Sequence, residues 1–135
     1  KGATPHYQGI EKSKNLCDIA QKTLDVPVEC TDAANLPFDD NSFDYVVVYS
    51  IMQYFPDREY ADRAIAELKR VARKGVYVGD VVIESHDESH TTFPLDYFKS
   101  DWVITTGTYS DKRYDMHRDC YVDEEWDGEN VNGDE

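Results

Sequence analysis

The sequence of 135 residues lacks the features that mark several large classes of protein. No apolar run approaches the roughly 18 residues that a membrane-spanning helix needs, and the first residues contain no apolar signal-peptide core. The three cysteines, Cys17, Cys30 and Cys120, are odd in number and show no C-x-x-C spacing. They therefore indicate neither a disulfide framework nor a zinc site, and we expect a soluble protein of the reducing cytoplasm.

Basic residues are also scarce. The chain has 14 Lys and Arg residues against 28 Asp and Glu residues, which gives a formal net charge of -14. The electrostatic field of this negative charge repels phosphate backbones and anionic lipid headgroups, so neither nucleic acid nor a membrane is a predicted partner. Residues 1–122 are long enough for one domain, whereas residues 123–135 are so acidic that we predict a solvated, disordered tail.

Segments typical of strands and helices alternate in the first half of the chain. Residues 7–11 and 26–30 are predicted as short strands, and Pro27 places the second of them near a sheet edge. Residues 13–24 are predicted as a helix that Ser13 caps. The nearly continuous apolar run at 43–50 is typical of a parallel strand that is covered on both faces.

The second half begins with a long amphipathic helix, predicted over residues 57–73 and ended by Lys74 and Gly75. Four further segments follow: a strand at 76–83 interrupted by Gly79 and Asp80, a short helix at 94–100, and two antiparallel strands at 102–109 and 114–122. This order predicts an α/β fold with a Rossmann-like, doubly wound, mostly parallel sheet and an antiparallel C-terminal edge.

Ligands of open α/β sheets bind at the carboxyl ends of the strands, so residues that directly follow strands are the candidates for function. Glu11 ends the first predicted strand, where a carboxylate can accept both hydroxyls of a ribose. Asp32 follows the second, where it can accept a hydrogen bond from an adenine amine. Residues 49–54 follow the apolar strand, and residues 80–90 follow the last long one.

These residues resemble the class I S-adenosylmethionine-dependent methyltransferases from that family's second strand onward. The resemblance rests on Gly9-Ile10-Glu11-Lys12-Ser13, Thr31-Asp32-Ala33, Leu36-Pro37-Phe38, Ser42-Phe43-Asp44 and Glu67-Leu68-Lys69-Arg70-Val71 with Lys74-Gly75. It covers residues 7–83 well and the rest loosely.

The resemblance implies S-adenosylmethionine as the cofactor and a small-molecule substrate as the methyl acceptor. It implies that Glu11 binds the ribose and that Asp32 contacts the adenine. The cofactor-binding residues expected from it are Glu11, Lys12, Asp32, Ala33, Tyr49 and Ser50.

One part of the family pattern has no counterpart in the chain. The family's first strand and glycine-rich loop, whose backbone amides approach the methionine half of the cofactor, are absent, and no G-x-G occurs in the sequence. We interpret the chain as a form truncated at its N-terminus rather than a degenerate relative, with weak or no activity alone. Without those elements it should expose apolar surface, which a homodimer could cover.

The catalytic residue stays open. In-line displacement at an activated methyl group depends mainly on positioning, and a general base is needed only where the acceptor loses a proton. The candidates near the predicted site are Tyr49, Tyr54, Asp80, Glu84, His86 and His90. His86 and His90 stand four residues apart, but they lack a predicted helix and a third ligand, so no metal site is predicted.

Two alternatives to the methyltransferase remain. One is a non-catalytic α/β binding or assembly module that kept the scaffold and acts through an exposed sheet edge. The other is a nicotinamide-dependent oxidoreductase of similar topology, which Asp32 and the pattern at residues 38–44 fit less well.

Overall fold

A computed structural model describes residues 6–83, 85, 87–94, 96–98, 102–106 and 117–123. Its elements are two helices and six strands, with one 3₁₀ turn at Met52–Tyr54. In chain order they are β1 (Gly9–Glu11), α1 (Lys14–Thr23), β2 (Val28–Cys30), β3 (Phe43–Tyr49), α2 (Arg58–Val71), β4 (Ala72–Val82), β5 (Val103–Thr106) and β6 (His117–Asp123).

The strands form two sheets. β1 and β2 pair in parallel as one sheet, and the other has the order β3-β4-β6-β5. β3 and β4 are parallel, whereas β6 runs antiparallel to both β4 and β5. The predicted α/β architecture with an antiparallel C-terminal edge is therefore confirmed.

Both helices begin where the sequence predicts. The Ser13 hydroxyl accepts a hydrogen bond from the Leu16 amide at the start of α1, and the Asp57 carboxylate accepts one from the Tyr60 amide at the start of α2. These side chains satisfy amide groups that have no partner within their helix.

The end of α2 differs from the prediction. Lys74 and Gly75 do not stop the helix, because it already ends at Val71 and both residues lie in β4. Ala72 pairs with Phe43 and Gly75 with Tyr45, so strand pairing extends further toward the helix than the sequence suggests.

Two other predictions for the second half of the chain differ from the structure. Residues 96–98 form a turn and bends rather than the short helix predicted at 94–100. Asp123, predicted as the start of the tail, is the last residue of β6, and the rest of the tail lies outside the described residues.

One face of the β3–β4 sheet forms the core with α2. The helix contributes Ala61, Ala64 and Leu68 to this core, and the sheet contributes Val76 and Val78 of β4. They follow the three- and four-residue spacing of one helix face and the two-residue spacing of one sheet face.

The opposite face of β3 is open, contrary to the prediction that both faces are covered. Tyr45, Val47 and Tyr49 alternate along the strand and are 52%, 68% and 58% exposed. Their partners in register on β4 are Gly75, Tyr77 and Gly79. β3 also stands at the end of its sheet's strand order, so within the described part of the chain one of its edges is unpaired.

A disulfide joins Cys17 of α1 to Cys30 of β2, so the prediction that the cysteines form no disulfide is wrong. The two lie 13 positions apart, a separation that indicates no framework by itself. Helix α1 packs its buried Cys17 against β2, and this contact brings the two sulfur atoms together.

Arg70 fastens the loop at residues 36–41 to α2. Its guanidinium donates hydrogen bonds to the carbonyl oxygens of Leu36 and Phe38, at 3.0 and 2.7 Å, and forms ion pairs with Asp40 and Glu67. The hydrogen bond from Arg70 holds the pKa of Glu67 below its ordinary value, with a further contribution from the Leu36 amide.

The ionisation of Glu67 should therefore make the free energy of unfolding depend on pH. Because its pKa is lower in the folded than in the unfolded state, its contribution is complete above the ordinary value of 4.5 and is lost as the pH falls through the folded-state pKa. We expect the free energy of unfolding of Glu67→Gln to fall less steeply below pH 4.5 than that of the unchanged chain, as measured by urea titration. Equal slopes for Glu67→Gln and the unchanged chain would contradict the prediction.

No helix within the described residues is long and apolar enough to cross a membrane.

Candidate functional site

The two carboxylates singled out in the sequence follow neighbouring parallel strands. Glu11 is the last residue of β1 and pairs in register with Cys30, and Asp32 comes two residues after Cys30. The Thr31 amide extends the pairing by donating a 3.1 Å hydrogen bond to the Glu11 carbonyl oxygen. Glu11 and Asp32 thus lie at the same end of the same sheet, where open α/β sheets bind ligands.

The Glu11 carboxylate is positioned at the start of α1. Its Oε2 accepts a hydrogen bond from the Ser13 amide at 2.9 Å. This contact turns the side chain across the turn between β1 and α1 and leaves Oε1 without a hydrogen bond from the described part of the chain.

The Asp32 carboxylate is held more firmly. Its Oδ1 accepts hydrogen bonds from the Tyr60 hydroxyl and, at 2.9 Å, from the Ala34 amide. Its Oδ2 lies 3.7 Å from the Lys12 ammonium. The Tyr60 hydrogen bond is the largest cause that holds the pKa of Asp32 below its ordinary value, so the group is an acceptor at neutral pH.

A second group of predicted residues lies where β3 ends. Ser50 has a φ of 57°, a left-handed conformation that is uncommon for residues other than glycine, and its amide donates to the Gly79 carbonyl oxygen of β4 at 3.1 Å. Tyr49 and Tyr54 are both exposed. Ser50 therefore turns the chain away from the sheet into the 3₁₀ turn.

Gln53 of that turn was not singled out from the sequence. It is only 5% exposed, and its Nε2 donates to the Ser50 hydroxyl at 3.2 Å. Its Oε1 is buried and accepts no hydrogen bond from the described residues. Such an atom is uncommon in folded proteins.

Asp80 lies within β4 rather than in a break between strands. It also has a φ of 57°, and the pairing of β4 with β6 is irregular between Val78 and Val81. Irregularities of this kind bend a strand and redirect its side chains.

The loop after β4 packs on the 3₁₀ turn. The Thr91 amide donates to the Gln53 carbonyl oxygen at 2.9 Å. His90 lies against the Tyr54 ring, its Nδ1 is 2.9 Å from the Ser85 hydroxyl, and its Nε2 is 3.6 Å from Asp87. The predicted candidates Glu84 and His86 lie outside the described residues.

Helix α2 links the two groups. The Phe55 ring, directly after the 3₁₀ turn, packs against Tyr60 with 4.9 Å between ring centroids, and Tyr60 donates to Asp32. Ala33 packs against the same core. Tyr60 was not predicted as a site residue, because its position on the buried stripe of α2 is equally typical of a core aromatic.

A family profile described as a methyltransferase domain matches residues 2–79, more than half of the chain. The chain belongs to the class I S-adenosylmethionine-dependent methyltransferase family. The resemblance seen in the sequence is thereby confirmed.

Methyltransferases are also among the curated relatives. The demethylmenaquinone methyltransferase of Staphylococcus epidermidis is 37% identical over 98 residues, which are 70% of this chain and 37% of that protein. The enzyme of the same name from Thermotoga maritima is 32% identical over 111 residues, 79% of this chain and 47% of that protein. The chain thus spans less than half the length of either relative.

Solved methyltransferase structures share the fold. A methyltransferase from Methanosarcina mazei has a TM-score of 0.64 at 14% identity, covering 84% of this chain and 79% of its own. The magnesium protoporphyrin IX methyltransferase of Synechocystis PCC 6803, crystallised with S-adenosylhomocysteine (SAH), has a TM-score of 0.63 at 14% identity, covering 85% and 63%. The Rossmann-like fold class predicted from the sequence is confirmed.

Proposed function

We propose that the chain is part of an S-adenosylmethionine-dependent methyltransferase that acts on a small-molecule acceptor. The observation that carries the proposal is the placement of Glu11 and Asp32 at the carboxyl ends of neighbouring parallel strands. One oxygen of each carboxylate has no hydrogen bond from the described residues, so the pair can accept from a ribose hydroxyl and an adenine amine. The relatives named for methylating demethylmenaquinone support a small organic acceptor.

The residues present fit the adenosine half of the cofactor. Glu11 would hold the ribose and Asp32 the adenine, with Lys12 and Ala33 beside them, and Tyr49 and Ser50 would border the site where β3 ends. The cofactor, when bound, supplies a methyl group activated by a sulfonium. The chain's own contribution is to bind and orient the reactants, because such a transfer depends mostly on positioning.

We assign proton removal from the acceptor to residues at or beyond the ends of β3 and β4, including Asp80 in the last part of β4. The described candidates there are Tyr49, Tyr54, Asp80 and His90, and no geometry singles out one of them.

We further propose that these 135 residues are an N-terminally truncated form with weak or no activity alone. Among the described residues one edge of β3 is unpaired and one face is open, which supports this proposal, since a further strand and helix would cover both. In the truncated form, a homodimer would cover the surface that the missing elements leave open.

Cofactor binding is tested by titration calorimetry with SAH, on this chain and on the longest natural reading frame that contains it. We expect Glu11→Gln and Asp32→Asn each to weaken binding about 10- to 100-fold, because each removes a charged hydrogen-bond acceptor. Asp39→Asn, which removes an equal charge from the loop before β3, should leave the affinity unchanged. Unchanged affinity in both site variants, or no binding by the longer form, would refute the proposal.

The second candidate function is a non-catalytic binding or assembly module. The open face of Tyr45, Val47 and Tyr49 favours it, because exposed apolar patches often mark interaction surfaces. A longer form that binds no SAH yet forms a stable complex through this face would decide for the module.

We also propose that the protein resides in the cytoplasm. The Cys17–Cys30 disulfide weighs against it, because disulfides are uncommon in reducing compartments. Trapping free thiols by alkylation in intact cells would test the proposal, since modification of Cys17 and Cys30 is expected only where they are reduced.

A further inference from the structure

Tyr60 is fixed so that its hydroxyl points at Asp32. The side chain is 5% exposed, its ring packs against Phe55, and its amide is bound by the Asp57 cap at 2.7 Å. The cations of Lys12 and Arg63 lie 5.0 and 5.6 Å from the ring centroid. A ring held on so many sides has little freedom to turn its hydroxyl elsewhere.

The hydroxyl is a donor and the carboxylate an acceptor at neutral pH. Burial and the Asp32 hydrogen bond raise the pKa of Tyr60 to about 12. The same hydrogen bond lowers the pKa of Asp32. The pair therefore keeps one arrangement, in which the phenol proton lies between Tyr60 and Oδ1.

The two oxygens of Asp32 consequently differ. Oδ1 accepts from both Tyr60 and the Ala34 amide, which uses its two lone-pair directions. Oδ2 accepts no hydrogen bond from the residues that the structure describes, and the Lys12 ammonium lies 3.7 Å from it, a distance that exceeds a hydrogen bond. The side chain is 40% exposed, so Oδ2 is accessible to a ligand.

We propose that Tyr60 is a positioning residue that presents Oδ2 of Asp32 to the exocyclic amine of a purine and so makes the site select 6-amino over 6-oxo purines. The inference rests on the proposed function and deepens it. An adenine amine donates to Oδ2, whereas the carbonyl oxygen of a 6-oxo purine would face a carboxylate with no proton between them. Without the Tyr60 hydroxyl, Oδ1 loses a donor and the carboxylate can rotate. The ratio of the affinities for a 6-amino and a 6-oxo purine should therefore decrease.

The test compares SAH with its 6-oxo analogue, S-inosylhomocysteine, by titration calorimetry on the longest natural reading frame that contains the chain. The readout is the ratio of the two affinities. In Tyr60→Phe we expect the ratio to fall about tenfold, the equivalent of one hydrogen bond to a charged group. In Asp32→Asn it should fall further, because the amide can donate to the 6-oxo group.

Tyr97→Phe is the matched control. The Tyr97 hydroxyl donates to Asp62 of α2 at 2.6 Å, the same kind of bond on the same helix but without contact to Asp32. Its removal should leave the affinity ratio unchanged. A fall equal to that in Tyr60→Phe would mean that the effect is merely structural and would overturn the inference.

Lys14→Met provides a second control whose folding is not at risk, since its side chain is 77% exposed. Lys14 pairs with Asp18 on α1 and leaves the Tyr60–Asp32 bond intact, so the ratio should stay within about twofold of the unchanged protein, well short of the tenfold loss of a charged hydrogen bond. A large fall in this variant would mean that loss of a nearby positive charge is enough to change the ratio, and it would overturn the role of Tyr60.

Failure of this inference is distinguishable from failure of the proposed function. A ratio that falls in Asp32→Asn but not in Tyr60→Phe overturns only the role of Tyr60. If the unchanged protein binds neither ligand, the proposed function fails and the inference fails with it.

Discussion

Replacement of Leu68 by alanine is expected to lower the free energy of unfolding by about 2–5 kcal/mol, the range typical of a buried leucine. Leu68 is 4% exposed and lies on the face of α2 that packs against β3 and β4. The substitution removes apolar contacts and leaves a cavity that the sheet can fill only in part. Urea unfolding followed by circular dichroism measures the effect.

Leu16→Ala is the matched control for this prediction. Leu16 lies in α1, the other helix, and is 55% exposed. The same chemical change there should alter the stability by no more than about 0.5 kcal/mol. Similar losses in the two variants would contradict the assignment of the core to the α2 face of the sheet.

Reduction of the Cys17–Cys30 disulfide is expected to lower the free energy of unfolding by about 3 kcal/mol, because the cross-link closes a loop of this approximate size in the unfolded chain. The bond joins α1 to β2, which together with β1 form the part of the fold that carries Glu11 and Asp32. Urea unfolding with and without a thiol reductant measures the loss.

The control is the double variant Cys17→Ala and Cys30→Ala, whose stability should not respond to reductant. It should resemble the reduced chain. If peptide mapping of the oxidised protein found free thiols at both positions, or if the reductant left its stability unchanged, the prediction would be wrong.

Much of the fold could be predicted because its signals are local. The apolar spacing of α2, the Ser13 cap and the β-branched run of β3 each depend on near neighbours in the sequence. The end of α2 could not be predicted in this way. Lys74 and Gly75 are typical of a helix stop, but pairing with β3 places them in a strand.

The disulfide and the open face depend on contacts between distant segments. No spacing rule relates Cys17 to Cys30, since the packing of α1 on β2 brings them together. Likewise an apolar strand is expected to be covered on both faces, and the sequence of β3 does not reveal that Tyr45 and Val47 have no covering element among the described residues.

Of the candidate site, the positions of Glu11 and Asp32 were predictable because a residue that follows a parallel strand lies at the ligand-binding edge. Tyr60 and Gln53 were not. Their contribution depends on where one hydroxyl and one amide point, and a tyrosine on a buried helix stripe or a glutamine after a strand is equally typical of a structural residue.

The edge of β3 that no described strand pairs with also affects how separate copies of the chain interact. Unpaired backbone amides and carbonyls can template the addition of a strand from a second molecule, and the exposed Tyr45, Val47 and Tyr49 beside them would add apolar contact. At low ionic strength the net charge of -14 opposes such contact. At physiological ionic strength the range of this repulsion shrinks to about 8 Å, so added salt favours self-association.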